Sequence, residues 1–178
     1  MKQILSAKQI DVTLDRLYQA VISQIPADKP IAVVGIRTRG ETLARRIVTR
    51  LETDKPGLHV DFGILDITFY RDDLSRRRGV PLVRATEIDF DIDGKWVLLI
   101  DDVLHTGRSI RAALDALSDF GRPEIIRLGV LINRGWHELP ITADFVGKKR
   151  SVPKGQRIQI RLKENDDKEG AYIIKEEA

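Results

Sequence analysis

Two adjacent carboxylates, Asp101 and Asp102, end an apolar run, and a turn from Thr106 to Ser109 follows them. Ligands of open α/β sheets bind beyond the carboxyl ends of the strands, where such carboxylates can accept hydrogen bonds from neighbouring hydroxyls. Gly107 lets backbone amides approach a ligand, and the next helix points its positive end at the turn, which favours phosphate. These residues predict a sugar-phosphate site, with the acids on a diol and the turn on the phosphate.

The same residues also fit simpler structures. In any α/β protein an acidic pair can terminate a strand, and a hydroxyl side chain such as Ser109 can cap a helix. A phosphorylated receiver domain also has an acidic pair after a strand, but that strand is its first. Two strand candidates and two helices precede Asp101 here, which argues against the receiver domain.

A second anion-binding loop is predicted between the apolar run Ile31 to Gly35 and the helix that follows it. The loop carries Arg37 and Arg39 and ends at Gly40, so it offers two guanidinium groups and backbone amides at a helix N-terminus. A solvated arginine turn is the alternative, but two phosphate-compatible loops in one sheet favour anion binding. The segment from Tyr70 to Gly79 is nearly all charged and predicts a mobile loop.

Apolar periodicity places these loops between strands and helices. Ser6 and Gln9 form a capping-box pattern before a helix that continues to Pro26. The predicted strands are Ile31 to Gly35, Val60 to Phe69, Trp96 to Ile100 and Ile125 to Ile132, and further helices cover Leu43 to Leu51 and Ile110 to Leu117. This alternation predicts an α/β fold with a mostly parallel sheet covered on both faces. A hairpin of Arg157 to Leu162 with Ala171 to Lys175, across a polar turn, completes the pattern.

Length and composition limit the class of protein. The 178 residues fit one domain over 1–178, and 42% apolar with 32% charged residues exclude a disordered polymer. The apolar runs are too short to cross a bilayer, and the N-terminal residues have no signal-peptide pattern. With no cysteine, the sequence predicts a cytoplasmic protein without membrane attachment. The net charge of +3 permits an anionic ligand without requiring nucleic acid.

The whole string from Val97 to Ser109 resembles the signature with which type I phosphoribosyltransferases bind phosphoribosyl pyrophosphate (PRPP). Three further stretches, Asp66 to Leu74, Gly35 to Gly40 and Glu138 to Gly147, resemble the PyrR family, which combines regulation of pyrimidine operons with uracil phosphoribosyltransferase activity. The likeness extends from about Leu5 to the last strand. It implies a type I phosphoribosyltransferase-like fold, a twisted and mostly parallel sheet flanked by helices, with a small β hood.

The resemblance also implies a reaction, in which phosphoribose passes from PRPP to uracil and gives UMP and pyrophosphate. The acids then hold the ribose 2′- and 3′-hydroxyls, the turn holds the 5′-phosphate, the Gly35 to Gly40 loop meets the pyrophosphate, and the segment from Tyr70 to Gly79 is a lid. Mg²⁺ is required but is held mainly through PRPP, without dedicated protein ligands. Dimers or tetramers are expected.

The site residues that the resemblance implies fall into two groups. The catalytic residues are Asp101, Asp102 and Arg71. The residues that bind PRPP or the nucleotide are Thr38, Arg39, Asp101, Asp102, Val103, Leu104, His105, Thr106, Gly107, Arg108, Ser109, Arg134 and Ile158.

Two motifs depart from the family pattern. The family usually has a tyrosine where this chain has His105 and a threonine where it has Ser109. Both replacements keep a polar ring or a hydroxyl, so we expect phosphate binding to be retained. The family's Asp-Arg-Gly-His-Arg turn is replaced by Asn-Arg-Gly-Trp-His at residues 133–137.

Binding to a pyrimidine-operon leader RNA is expected to be weak. The first helix presents Asp11 and Asp15 with Arg16 as the cation beside them, and phosphate contacts supply most nucleic-acid affinity. Lys148, Lys149 and Arg150 form a separate basic run, which is more often a solvated surface. Two alternatives stay open: a nucleotide-sensing, RNA-binding regulator with little catalysis, and a purine-type phosphoribosyltransferase.

Overall fold

The computed structural model describes residues 1–72 and 85–176. The strands are β1 (Lys2–Ser6), β2 (Ile31–Ile36), β3 (Val60–Leu65), β4 (Trp96–Leu104), β5 (Ile125–Asn133), β6 (Phe145–Lys149), β7 (Gln156–Arg161) and β8 (Gly170–Lys175). The helices are α1 (Ala7–Ile22), α2 (Arg39–Asp54), α3 (Arg108–Ser118) and α4 (Lys163–Asp166), with a 3₁₀ turn at Thr68–Tyr70.

A five-stranded parallel sheet forms the centre of the fold, in the order β3-β2-β4-β5-β6. Every residue of β2 is buried, as expected for an apolar strand with helices on both faces of its sheet. α1 and α2 pack on one face, and α3 packs on the other. The predicted α/β class with a mostly parallel sheet is confirmed.

The sequence determines the start of α1 through a local cap. Ser6 N–H donates a hydrogen bond to Gln9 Oε1 (2.9 Å), and Gln9 N–H donates to Ser6 Oγ (3.4 Å), which completes the predicted capping box. The buried stripe of Ile10, Leu14 and Leu17 then packs into the core. The position of α1 therefore follows directly from the residue pattern.

Two strand boundaries differ from the sequence prediction. β4 continues to Leu104 rather than ending at Ile100, because its last residues remain paired with β5 beyond the end of its pairing with β2. β3 ends at Leu65, earlier than predicted, because the Asp66 carboxylate accepts a hydrogen bond from Thr68 N–H (2.7 Å) and the chain turns there.

A three-stranded antiparallel sheet in the order β1-β8-β7 forms the predicted hood. The hairpin of β7 and β8 confirms the prediction, whereas the short helix α4 occupies part of the segment predicted as a turn. The sequence patterns did not reveal β1 or β6. Each has only five residues, and β6 ends in two lysines on a sheet edge, so neither shows a long apolar alternation.

No helix within residues 1–72 and 85–176 has the length and apolar character needed to cross a membrane.

Candidate active site

A cavity of about 360 Å³ opens at the carboxyl ends of β2 and β4. β2 lies between β3 and β4, so the chain leaves β2 toward one side and later returns on the other. This topological switch point is where open α/β sheets bind ligands. The lining residues are Ile36, Arg37, Thr38, Arg39, Asp66, Ile67, Thr68, Arg71, Asp101, Asp102, Val103 and Ser109.

Gly40 allows the first turn of α2 to lie directly against the end of β4. A Cβ atom at this position would stand 2.5 Å from the carbonyl oxygen of Ile100 and 3.1 Å from Cα of Asp101. Thr38, the residue before α2, makes no side-chain hydrogen bond to the first turn. The N–H groups of that turn can therefore donate to an anion in the cavity.

Asp101 and Asp102 are held where burial opposes their ionisation. Asp101 is only 8% exposed, and its Oδ1 accepts a hydrogen bond from Asp102 N–H (2.9 Å). Burial, together with the neighbouring charge of Asp102, raises the pKa of Asp101 well above its ordinary value, and the charge of Arg71 opposes that rise. Burial also raises the pKa of Asp102, against the charge of Arg39. A ligand whose hydroxyl groups donate hydrogen bonds to the two carboxylates can stabilise their charged forms.

The turn before α3 is shaped by Gly107, whose φ of 91° is a left-handed conformation. Thr106 Oγ1 accepts a hydrogen bond from Arg108 N–H (3.3 Å). The Thr106 carbonyl accepts from the N–H groups of Glu138 (2.9 Å) and Leu139 (3.1 Å). The turn is thus fixed by the neighbouring loop, and it brings the start of α3 to the same sheet edge as the acids.

The side chains of Arg108 and Arg71 have different partners around this turn. Arg108 Nε donates to Glu138 Oε2 (2.8 Å), and its Nη1 donates to Asp72. Arg71 Nη1 donates to Ser109 Oγ (3.3 Å), so its guanidinium reaches the cavity beside the acids. The guanidinium of Arg108 therefore ties loops together, whereas that of Arg71 stands beside a possible ligand.

Both arginines of the loop after β2 are paired with carboxylates. Arg37 Nη2 contacts Glu87 (2.5 Å) and Nε donates to the Ala85 carbonyl (3.0 Å). Arg39 Nε and Nη2 donate to the two carboxylate oxygens of Asp166 (3.1 and 2.6 Å). The expectation of two guanidinium groups at the cavity edge is met, and each is also anchored elsewhere.

A second cavity of about 330 Å³ lies beneath the hood. Arg134 is 3% exposed, and its Nη2 donates to the Gln156 carbonyl. Its Nε and Nη1 are buried and have no hydrogen-bond partner among residues 1–72 and 85–176. Burial lowers the pKa of Arg134, and the charge of Glu176 partly opposes this. The lining residues are His105, Arg134, Trp136, His137, Glu138, Lys154, Gly155 and Glu176.

The structure divides the predicted site residues between these places. Those that line the first cavity are Thr38, Arg39, Arg71, Asp101, Asp102, Val103 and Ser109. His105 and Arg134 line the second cavity, and Thr106, Gly107 and Arg108 form the turn between the two. The residues that line the two cavities do not include Leu104 or Ile158, whose side chains are buried in the hydrophobic core at 1% and 7% exposure. For Ile158 the resemblance implies a contact through the backbone, which stays a prediction. Residues 73–79 of the predicted lid lie outside the described residues.

Several cavity residues were not predicted from the sequence. Asp66 and Thr68 line the first cavity, and Lys154 and Glu176 line the second. Asp66 begins the stretch Asp66 to Leu74 that resembles the PyrR family, and this resemblance could have indicated its place in the site. Lys154 and Glu176 reach the cavity only through the folding of the hood, so local residue patterns do not reveal them.

This fold and this site define a phosphoribosyltransferase. Residues 1–164 match the family model described as Phosphoribosyl transferase domain. The chain is 50% identical over 175 residues to the Bifunctional protein PyrR of Roseiflexus sp. (strain RS-1), covering 98% of this chain and 95% of that protein. It is 46% identical to the Bifunctional protein PyrR of Elusimicrobium minutum (strain Pei191), with coverage of 97% and 96%. The chain therefore belongs to the PyrR family of phosphoribosyltransferases, which confirms the predicted family.

Solved structures show the same fold at low sequence identity. A hypoxanthine-guanine phosphoribosyltransferase from Bacillus anthracis str. 'Ames Ancestor' matches with a TM-score of 0.66 and 16% identity, over 89% of this chain and 86% of that chain. A hypoxanthine phosphoribosyltransferase from Staphylococcus aureus matches with a TM-score of 0.62 and 19% identity, over 88% and 80%. At these identities the likeness establishes the fold and not the base that is used.

Proposed function

We propose that the chain transfers phosphoribose from PRPP to N1 of uracil and so forms UMP and pyrophosphate. The observation that carries this proposal is the convergence of an acidic pair, a glycine turn and a helix N-terminus on one cavity edge. The membership in the PyrR family supports uracil as the base. The bond from C1′ to the pyrophosphate oxygen breaks, the bond from C1′ to N1 forms, and the base loses its N1 proton.

The acidic pair is proposed to orient the ribose. The carboxylates of Asp101 and Asp102 accept hydrogen bonds from the 2′- and 3′-hydroxyls, and their charges stabilise a ribose ring that becomes positive as the C1′ bond stretches. The turn from Thr106 to Ser109 binds the 5′-phosphate through hydroxyls and N–H groups. The raised pKa values of both acids support a site that is completed only when the sugar is bound.

The pyrophosphate is proposed to lie between the start of α2 and Arg71. Arg39 and the N–H groups of the first turn of α2 donate hydrogen bonds to its oxygens. The oxygens of PRPP and water can supply most ligands of Mg²⁺, and the carboxylates of Asp101 and Asp102 line the same cavity, so the residues present fit Mg²⁺ carried by PRPP. When bound, Mg²⁺ neutralises charge on the departing pyrophosphate.

The base is proposed to occupy the cavity under the hood. The buried Nε and Nη1 of Arg134 carry N–H donors that no other described residue accepts, and a carbonyl oxygen of uracil can accept from them. Burial lowers the pKa of His105, so its ring is neutral near pH 7 and adds no charge beside a neutral base. This pairing of donor and carbonyl supports a base with an exocyclic oxygen, and the family membership supports a pyrimidine among such bases.

The test is a turnover assay with PRPP, Mg²⁺ and one of uracil, hypoxanthine, guanine or orotate. We expect UMP and pyrophosphate in equal amounts with uracil, and less than about 1% of that rate with the purines, since discrimination by a polar site reaches 10⁴-fold or more. Nucleotide formed only from hypoxanthine or guanine would establish the purine alternative. No nucleotide from any base would refute the proposed reaction.

Regulation through RNA is proposed as a second activity, since the relatives carry the name Bifunctional protein PyrR. Arg16 Nη1 donates to the Gly147 carbonyl (3.3 Å), which brings this cation beside the basic run Lys148 to Arg150 on the sheet edge. We expect UMP to increase retention of pyrimidine-operon leader RNA in a filter-binding assay. Binding that UMP does not change would contradict this second activity.

The chain is proposed to form one domain over 1–178, to act as a dimer or tetramer and to work in the cytoplasm. Light scattering coupled to size-exclusion chromatography tests the assembly, for which a monomeric mass near 20.2 kDa would be the contrary result.

A further inference from the structure

The loop between β7 and β8 of the hood is tied to one face of α2. Arg39, Thr42 and Arg46 lie at helical spacing on that face, and each of them contacts the loop. Thr42 Oγ1 donates to Asn165 Oδ1 (2.7 Å). Arg46 contacts Glu164 through Nε (2.9 Å) and Nη2 (2.7 Å). The start of α2, which borders the first cavity, is therefore connected to the hood that covers the second.

Asp166 makes the contact of this loop that reaches the first cavity. Its two oxygens accept from Nε (3.1 Å) and Nη2 (2.6 Å) of Arg39, a fork that fixes the plane of the guanidinium. Asp166 Oδ2 also accepts from Leu162 N–H (3.1 Å), which fixes the carboxylate itself. Both side chains are largely shielded, at 28% and 17% exposure. Arg39 is thus held from the side by a carboxylate that is itself immobilised.

The fork leaves part of Arg39 for a ligand. A guanidinium has five N–H donors, and Asp166 engages one side of the fork through Nε and Nη2. Arg39 also lines the first cavity, and its charge acts there on Asp102. The N–H groups that Asp166 does not engage can therefore donate to a ligand in this cavity. Without Asp166, the long side chain of Arg39 would sample several rotamers, and binding an anion would have to order it again.

We propose that Asp166 is a positioning residue that pre-orients Arg39 for the pyrophosphate of PRPP. This inference rests on the proposed function, because it assumes that the first cavity takes the pyrophosphate. It makes a distinctive prediction about charge. Asp166 is negative and stands near an anion site, so its neutralisation would favour anion binding if charge alone mattered. Positioning predicts the opposite result.

The test compares Asp166→Asn with Glu164→Gln as the matched control. Both variants remove one carboxylate from the same loop and break an ion pair with an arginine of α2, but Glu164 pairs with Arg46, away from the first cavity. Binding of PRPP and of pyrophosphate with Mg²⁺ is measured by calorimetry, and steady-state kinetics give KM for PRPP and for uracil.

We expect Asp166→Asn to raise the Kd for pyrophosphate and the KM for PRPP about tenfold, with KM for uracil changed less than about twofold. Glu164→Gln should leave all three within about twofold, and Asp166→Glu should recover part of the loss. Equal effects in Asp166→Asn and Glu164→Gln, or tighter pyrophosphate binding in Asp166→Asn, would overturn the inference. Wild-type protein that binds PRPP without turnover would refute only the proposed reaction, and wild-type protein that binds neither ligand would refute both.

Discussion

Replacing Asp101, the more deeply buried residue of the acidic pair, should stabilise the protein while it lowers activity. In Asp101→Asn the side chain keeps its size and an Oδ1 acceptor for Asp102 N–H, but the buried charge is lost. Unit charges on two neighbouring carboxylates repel by on the order of a few kcal/mol at an effective dielectric constant of about 20. The charges of Arg71 and Arg39 offset part of this repulsion. We therefore expect a net gain of about 1–2 kcal/mol, or roughly 2–8 °C in Tm for a chain of this length.

The pH dependence has a definite sign. A raised pKa in the folded state means that ionisation opposes folding, so the wild-type protein meets no penalty from Asp101 below the ordinary pKa of 3.8. The penalty grows as the pH rises from there toward the folded-state pKa and is constant above it. The stability advantage of Asp101→Asn should therefore be absent near pH 3 and should increase as the pH rises above the ordinary pKa.

The assay pairs denaturant unfolding at several pH values with turnover of PRPP and uracil. Loss of a charge-assisted hydrogen bond to a ribose hydroxyl costs about 1.5–3 kcal/mol, so kcat/KM should fall about 10- to 150-fold in Asp101→Asn. The exposed Asp89→Asn is the control, with stability within about 0.5 kcal/mol of wild type and unchanged turnover. An Asp101→Asn protein that is less stable than wild type at neutral pH, or fully active, would refute the reasoning.

Three further variants probe the fold around the site. Gly40→Ala should lower stability by about 1–3 kcal/mol and raise KM for PRPP, because the added Cβ would stand 2.5 Å from a backbone oxygen. Gly57→Ala, which has open space around it, should change neither quantity. Denaturant unfolding and steady-state kinetics of the two variants test this. Leu17→Ala should cost about 2–5 kcal/mol in denaturant unfolding and the exposed Val12→Ala less than about 0.5 kcal/mol, and equal losses would contradict the assigned core. Burial lowers the pKa of His105, so its contribution to stability is present above about pH 6.5 and is lost as the pH falls. His105→Tyr should therefore reduce the loss of stability below about pH 6.5. An unchanged dependence of stability on pH would contradict this role of His105.

The parts of the fold with strong local patterns could be predicted from the sequence. The capping box of Ser6 and Gln9 determined where α1 begins, and the uninterrupted apolar run of β2 indicated a buried parallel strand. The acidic pair Asp101 and Asp102 followed such a run directly, so its place at the sheet edge could be derived. These features depend on neighbouring residues, which is why sequence reasoning reached them.

The missing parts depend on contacts between distant segments. Arg39 and Asp166 are separated by 127 positions, and only the closed hood brings them together. The partners of Arg108 could not be inferred either, because Asp72 and Glu138 come from two other loops. β1 and β6 are too short for a reliable period. Family resemblance implied the reaction and the set of site residues, whereas the structure shows how these residues are held.

The most direct test of the site is a crystal structure with UMP bound. The account predicts the ribose 2′- and 3′-hydroxyls within about 3 Å of the carboxylates of Asp101 and Asp102, and the 5′-phosphate against the backbone N–H groups from Thr106 to Ser109. A sugar bound away from the two acids, or a phosphate held elsewhere while this turn stays empty, would contradict it.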